Sequence, residues 1–224
     1  TKDGFSGKYT GILKSDGSLF LAFLTNPANH LITPEHLEQN KQLLSTASFL
    51  LADTNISIQT IDWLLALSHQ TGIPLIIEPV SVPPAIKLRQ ANINGLFLIT
   101  PNEDELPVLC SDNARTEEQQ IGELLNRGVR NVWLHKGKQG SAFYSTEKQI
   151  LLNAPSINVL DSTGAGDGSL AGYILGKYLG KEDIDCLKLA HTLSAEILQV
   201  NGAIATQLDQ QKLLTFVSKY YPEP

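Results

Sequence analysis

The sequence predicts an α/β protein built on a mostly parallel sheet covered on both faces. Two observations predict it. Short runs of continuous apolar residues, at 48–52, 73–77, 95–99 and 132–134, alternate with segments of helical length. A strand buried on both faces reads as such an unbroken apolar run, whereas a half-exposed strand alternates. The 224 residues are 42% hydrophobic and 18% charged, which suits one large core and does not suit disorder.

The elements follow in order. Residues 7–13 and 19–24 flank Ser15-Asp16-Gly17-Ser18, and Asp-Gly between two apolar runs predicts a β-hairpin. Thr33-Pro34-Glu35 predicts a helix start, with threonine as the cap and proline at the first helical position. Leu37, Leu43 and Leu44 supply part of its apolar face. A strand at 48–52, a helix at 57–70, a strand at 73–77 and a helix at 83–90 come next. A strand at 95–99, a helix at 115–127 ending near Gly128, and a strand at 132–134 continue the alternation. A more irregular β stretch covers 142–150, and helices at 166–179 and 183–200 follow. The chain shows no internal repeat, low-complexity tract or linker.

Composition excludes several classes. The formal charge is −6 with no basic cluster, which argues against nucleic acid as a partner, since binding there needs a positive patch. No apolar run reaches membrane-spanning length, and no signal-peptide series is present. Cys110 and Cys186 have no metal-like spacing and read as two reduced, partly buried thiols of a cytoplasmic protein. The chain has no methionine, and so reads as less than a complete primary translation product.

The most informative stretch is Asp161-Ser162-Thr163-Gly164-Ala165-Gly166-Asp167-Gly168-Ser169-Leu170-Ala171-Gly172. It follows an apolar, strand-like segment and opens a helix. Glycines let the backbone turn sharply and approach a ligand. Free N–H groups at a helix start point outward with the positive end of the macrodipole, which favours an anion. A carboxylate at that start, Asp167, can accept a proton from a hydroxyl attacking phosphorus. A helix N-terminus with a capping aspartate and turn glycines is the plainer alternative. The dinucleotide pattern fails for want of a third glycine, and Gly137-Lys138-Gln139 fails the P-loop pattern for want of a Ser or Thr after the lysine.

This stretch resembles the C-terminal signature of the ribokinase (PfkB) family of carbohydrate kinases. Thr100-Pro101-Asn102-Glu103-Asp104-Glu105-Leu106 is similar to the family's Pro-Asn-x-x-Glu segment. Residues 132–140 are similar to its strand and Gly-x-x-Gly turn, and Leu189-Ala190-His191 to the helix beside adenine. The resemblance covers about residues 45–205. It implies a three-layer α/β/α sandwich with a partial β-hairpin lid, and an ATP-dependent kinase using Mg²⁺. Asp167 is implied as the base and Gly164, Ala165 and Gly166 as the anion hole. Asn102 is implied to reach the nucleotide phosphates, and Glu105 to hold Mg²⁺ through water. His135, Lys136, Gly137 and Gly140 would pass under the nucleotide, with His191 near its base. Asp161 and Thr163 match positions that bind K⁺ in cation-activated members.

Alternatives stand beside some of these roles. His191 also reads as a helix-face histidine and Glu105 as a solvated surface acid. Lys136 reads equally as a phosphate contact or a solvated lysine. Asp53 and Asn55 follow a strand and read either as ligand contacts at the sheet's C-terminal edge or as turn caps.

Within the family, 51–57 and 76–81 resemble bacterial pseudouridine kinases, although Glu78 stands where aspartate is usual and Asp161 is absent from some of them. The implied reaction is phosphorylation of a primary hydroxyl of a ribosyl compound, pseudouridine at its 5′ position. A ribokinase-like sugar or other nucleoside kinase, and a non-catalytic nucleotide-binding module, are the alternatives. Residues 1–30 read as a partial lid hairpin and entry segment, and 31–224 as the ATP-binding catalytic core. Nothing matches the family's N-terminal Gly-Gly-x-x-x-Asn substrate motif, so that portion is expected to be absent and the isolated chain weakly active or inactive. The hairpin reads either as a homodimer clasp or as a lid folded over a monomer.

Overall fold

The computed structural model describes residues 7–13, 19–25 and 28–222. Its strands are β1 (Lys8–Leu13), β2 (Leu19–Thr25), β3 (Leu50–Asp53), β4 (Leu75–Glu78), β5 (Leu98–Ile99), β6 (Asn131–His135), β7 (Ser141–Ser145) and β8 (Gln149–Leu152). Its α-helices are α1 (Pro34–Gln39), α2 (Lys41–Leu44), α3 (Ile58–Thr71), α4 (Val82–Ala85), α5 (Leu106–Leu109), α6 (Glu117–Asn126), α7 (Ala165–Tyr178), α8 (Asp183–Leu198) and α9 (Gln210–Tyr220).

Strands β1 and β2 form a two-stranded sheet, and the Ser15–Ser18 turn expected between them lies outside the described residues. The other six strands form one sheet in the order β3-β4-β5-β6-β7-β8. From β3 to β6 the pairing is parallel, with Asp53 opposite Glu78, Ile77 opposite Ile99, and Ile99 opposite Val132. The connections at 136–140 and 146–148 are too short for a parallel crossover, so β7 runs antiparallel to its neighbours β6 and β8.

Apart from the β1–β2 sheet, the chain forms two compact units, one of residues 22–136 and 142–150, the other of 137–141 and 151–224. The first unit is centred on Leu50, Leu75, Ile77, Ile99, Val132 and Leu134 of the strands, against Ile61, Leu64 and Leu65 of α3 and Ile121 and Leu124 of α6. Each such side chain, fully buried, contributes about 1.5–3 kcal/mol. Its helices start where capping residues stand. The Thr33 hydroxyl accepts the His36 N–H at 3.3 Å, and the Ser57 hydroxyl accepts the Thr60 N–H at 3.1 Å. Thr116 and Gln119 form a reciprocal capping box at the start of α6.

The second unit is held by α7 against α8. Gly168, Gly172 and Gly176 recur every four residues, on one face of α7. A Cβ at Gly172 would stand 2.7 Å from the Ala190 Cα, and one at Gly176 2.9 Å from the Cys186 Cα. The two helices therefore meet backbone to backbone. Cys110 and Cys186 are both buried and unbridged. Burial pushes the Cys110 thiol up to about 12 and Cys186 up to about 11, so neither is a reactive thiolate. No helix among the described residues is long and apolar enough to cross a membrane.

Several expectations need correction. The helix expected at 83–90 is broken, α4 giving way to a tighter 3₁₀ turn at Ile86–Arg89. The strand expected at 95–99 shortens to β5, because Gly95 takes φ 85° to donate its N–H to Gly128 O. The apolar segment before the glycine loop is not a strand. Val159 and Leu160 are 57% and 66% exposed, and the Leu160 N–H bonds to Leu198 O at the end of α8. The helix expected from Thr33 through Leu44 is broken at Asn40 into α1 and α2, and the short helix α5 and the C-terminal α9 were not foreseen.

Candidate active site

The glycine loop opens α7. Gly164 is its N-cap, in the left-handed region at φ 80°, where a Cβ would lie 2.6 Å from the Ala203 carbonyl oxygen. Only glycine satisfies both the backbone angle and the close approach. At Gly166 a Cβ would meet nothing within 4 Å, so the loop is open on that side. The Ala165 N–H reaches Ser162 O only at 3.4 Å. The amides of Gly166 and Asp167 have no hydrogen-bond partner among the described residues. Such orphan donors at a helix start are a ready anion site.

Asp167 lies in the first turn of α7 and is exposed. Its carboxylate has no hydrogen-bond or ion-pair partner among the described residues. It does not cap its own helix, so the plainer alternative of a capping aspartate is not what the structure shows. Asp161 does do structural work. One carboxylate oxygen accepts the Thr163 N–H at 2.9 Å and the other the Gly202 N–H at 3.0 Å. Thr163 and Gly202 together hold this carboxyl below the usual carboxylate range. Asp161 thus ties the loop before α7 to the loop after α8.

In the other unit, candidate residues lie at the C-terminal ends of the parallel strands. Asp53 ends β3 and accepts the Asn55 N–H at 2.9 Å and its Nδ2–H at 2.8 Å, so this pair is a turn cap at the sheet edge. The Thr100 hydroxyl, beyond β5, donates to the Glu78 carboxylate that ends β4. Asn102 and Glu105 lock one another. Asn102 Oδ1 accepts the N–H groups of Asp104 and Glu105, both at 2.9 Å, and Glu105 Oε2 accepts the Asn102 N–H at 2.9 Å. The motif is a capping box in all but its residue types. Glu105 is not a solvated surface acid, being only 3% exposed. Burial pushes its carboxyl up, against the pull of the Asn102 N–H. Asn102 is exposed, and this turn leaves its Nδ2 group unused.

Asn102 pairs with His135 at the end of β6, and the His135 N–H donates to Pro101 O at 2.9 Å. The His135 ring lies 4.3 Å from that of Trp133, centre to centre. Lys136 is half-buried and paired rather than simply solvated. Its ammonium sits 2.8 and 2.7 Å from the two oxygens of Glu117, and the Tyr144 hydroxyl donates to the same carboxylate at 2.7 Å. Burial alone would raise Glu117, but the bonds from Lys136 and Tyr144 outweigh it and hold the carboxyl low.

Back in the second unit, Gly137 and Gly140 bound a tight turn, at φ 52° and 98°, closed by the Gly140 N–H to Gly137 O at 3.0 Å. A Cβ at Gly140 would fall 2.0 Å from Leu152 O, so the turn rests directly on the chain leaving β8. His191 is 6% exposed on α8, with Ser141 Oγ 2.8 Å from Nε2 and the Tyr221 hydroxyl 2.8 Å from Nδ1. It is a buried histidine rather than one on a solvated helix face, and no ring nitrogen is left for a ligand. Burial drives it down to about 4, so it is neutral near pH 7.

The structure thus gathers Asp161, Thr163, Gly164, Ala165, Gly166 and Asp167 in one loop, and Asn102, Glu105, His135 and Lys136 along one strand edge. Sequence reasoning missed Glu117, Tyr144, Ser141 and Tyr221. Glu117, Ser141 and Tyr221 each touch a candidate residue from far away in the chain, Tyr144 touches Glu117, and no local motif marks any of them.

Residues 1–210 match the model of the pfkB family of carbohydrate kinases. The chain is 27% identical over 191 residues to the ribokinase of Bacillus subtilis, covering 84% of this chain and 62% of that protein. It is 26% identical over 172 residues to the pseudouridine kinase of Escherichia coli, covering 75% of this chain and 54% of that one. It therefore spans little more than half the length of these relatives. A solved structure of Arabidopsis thaliana ribokinase with ribose and ATP superposes with a TM-score of 0.78 at 25% identity, over 94% of this chain and 69% of that one. A carbohydrate kinase from Agrobacterium tumefaciens gives 0.77 at 25% identity, over 96% and 69%. The fold is the ribokinase-like α/β/α arrangement, and the chain belongs to the pfkB family of carbohydrate kinases.

Proposed function

We propose that this chain carries the nucleotide-side chemistry of an ATP-dependent kinase that phosphorylates a primary hydroxyl of a ribosyl compound. One observation carries the reading. Within a single helical turn stand two unpaired amides, of Gly166 and Asp167, and an unengaged carboxylate, that of Asp167. ATP, when bound, supplies the phosphoryl group, and Mg²⁺ neutralises its charge. The amides are aimed where negative charge grows during transfer, and preorganised donors of this kind are among the largest contributors to catalysis. Asp167 accepts the proton of the attacking hydroxyl, which is worth about 10²–10⁴-fold.

The donor set suits the proposed ions. Among the described residues no cluster of three His, Cys, Asp or Glu forms a metal cage. Mg²⁺ in phosphotransfer sites is commonly held by one or two carboxylates, with waters and substrate phosphates completing its shell. Glu105, acting through water, is the proposed carboxylate, with Asn102 Nδ2 available to a phosphate. A carboxylate has about four lone-pair sites. Asp161 uses two of them for amides, so K⁺ at Asp161 and Thr163 remains part of the proposal.

The proposed acceptor is pseudouridine, supported by the likeness to a pseudouridine kinase. Similar identity to a ribokinase supports ribose as the second reading. The test is ADP release with pseudouridine, ribose and other nucleosides, alongside calorimetry with ATP and Mg²⁺. Asp167→Asn is expected to keep ATP affinity and to lose about 10²–10⁴-fold in turnover. Unchanged turnover refutes the role of Asp167. ATP binding with neither acceptor binding nor turnover favours a non-catalytic nucleotide-binding module.

A further inference from the structure

His191 sits in a hydrogen-bond chain whose direction can be derived. The Tyr221 hydroxyl donates its one proton to Asn153 O at 2.8 Å. It can then only accept from His191, 2.8 Å away, so Nδ1 carries the imidazole proton. In the neutral ring Nε2 must then accept, and the Ser141 hydroxyl at 2.8 Å donates to it. The chain runs from Ser141 through His191 and Tyr221 to the Asn153 carbonyl, and every polar group in it is satisfied.

These residues bracket the Gly137–Gly140 turn. Ser141 follows Gly140 directly. Asn153 lies on the stretch against which Gly140 abuts, where a Cβ at Gly140 would lie 2.0 Å from Leu152 O and 2.6 Å from the Ala154 nitrogen. Tyr221, one residue beyond α9, thus holds the support beneath the turn, and through His191 it holds the residue that leaves it.

We propose that Tyr221 and Ser141 are positioning residues for nucleotide binding, acting through His191 to fix the Gly137–Gly140 turn. The inference rests on the reading of that turn as the nucleotide's floor. It makes the C-terminal segment a determinant of ATP affinity without contact to ATP.

The experiment measures ATP binding by calorimetry with Mg²⁺, thermal stability, and the ¹⁵N shifts of the His191 ring. Tyr221→Phe keeps the ring and deletes both bonds. It is expected to weaken ATP binding by about fivefold or more, the equivalent of one hydrogen bond of ~1 kcal/mol. Ser141→Ala is expected to do the same, and the double variant to be no worse than either alone, because both break one chain. Tyr220→Phe is the control. Its hydroxyl bonds Glu196 and Gln199 within the α8–α9 contact, so it is expected to lower stability and leave affinity unchanged. The ¹⁵N spectrum is expected to show the Nδ1–H tautomer, and an Nε2–H tautomer overturns the chain. If the wild-type protein binds ATP and Tyr221→Phe binds it equally well, this inference fails and the phosphotransfer reading stands. If the wild-type protein binds no ATP, both fall.

Discussion

Lowering the pH should destabilise this protein through His191 before its carboxylates matter. The ring is driven from 6.5 to about 4 by burial, against the lift of the Asn153 carbonyl. Between those two values the unfolded chain binds a proton at His191 and the folded chain does not. Stability therefore falls as pH falls through that window. The gap is about 2.5 pH units, and at ~1.4 kcal/mol per unit the full loss comes to about 3.5 kcal/mol, most of it within this window. That is a large share of the ~5–15 kcal/mol that holds a typical domain together. Asp161, Glu117 and Glu35 are held low, so their contributions are lost only below their ordinary values of 3.8, 4.5 and 4.5. Glu105 is held high by burial and acts in the opposite sense. A His191→Gln variant separates these effects, since it leaves the carboxylates in place and removes the ring. Urea unfolding of both proteins, followed from pH 6.5 down to about 4, gives two stability curves. The wild-type curve should drop relative to the variant by about 3 kcal/mol across the window. Parallel curves would refute the argument, because they would mean that the folded protein protonates His191 as readily as the unfolded chain does.

Gly172→Ala places a methyl group 2.7 Å from the Ala190 Cα, so overpacking should outweigh the gain in helix propensity and cost about 1–3 kcal/mol, read as a lower Tm. Asn102→Ala removes the acceptor of two N–H groups beside a buried carboxylate, and a stability loss of about 0.5–2 kcal/mol by denaturant titration is expected. Lys136→Met should change ATP affinity no more than Glu117→Gln does. A double-mutant cycle on that pair should return a coupling of about 0.2–1 kcal/mol, as befits a partly exposed ion pair. A loss of ATP affinity confined to Lys136→Met would support the phosphate role.

The residues fixed locally were legible without coordinates. Thr33 and Pro34, Ser57, and Thr116 announce helix starts because capping is satisfied within three or four residues. The apolar runs at β4 and β6 announce buried parallel strands, that at β3 announces a strand whose Leu51 is nevertheless exposed, and the glycines at 164 and 166 announce a turn that leaves amides free. What the tertiary structure decided was partnership at long range. Glu117 finds Lys136 and Tyr144 across other elements, and His191 finds Ser141 and Tyr221. Glu105 becomes a buried acid although nothing beside it in the chain is unusual. The reason is the range of the forces involved. Caps and turns are closed by neighbours in the chain and can be read from spacing, whereas a proton's position or a charge's partner is set by whichever groups the core brings within about 3 Å. The unpaired amides at Gly166 and Asp167 belong to both: the sequence provides the donors, and the fold leaves them unclaimed.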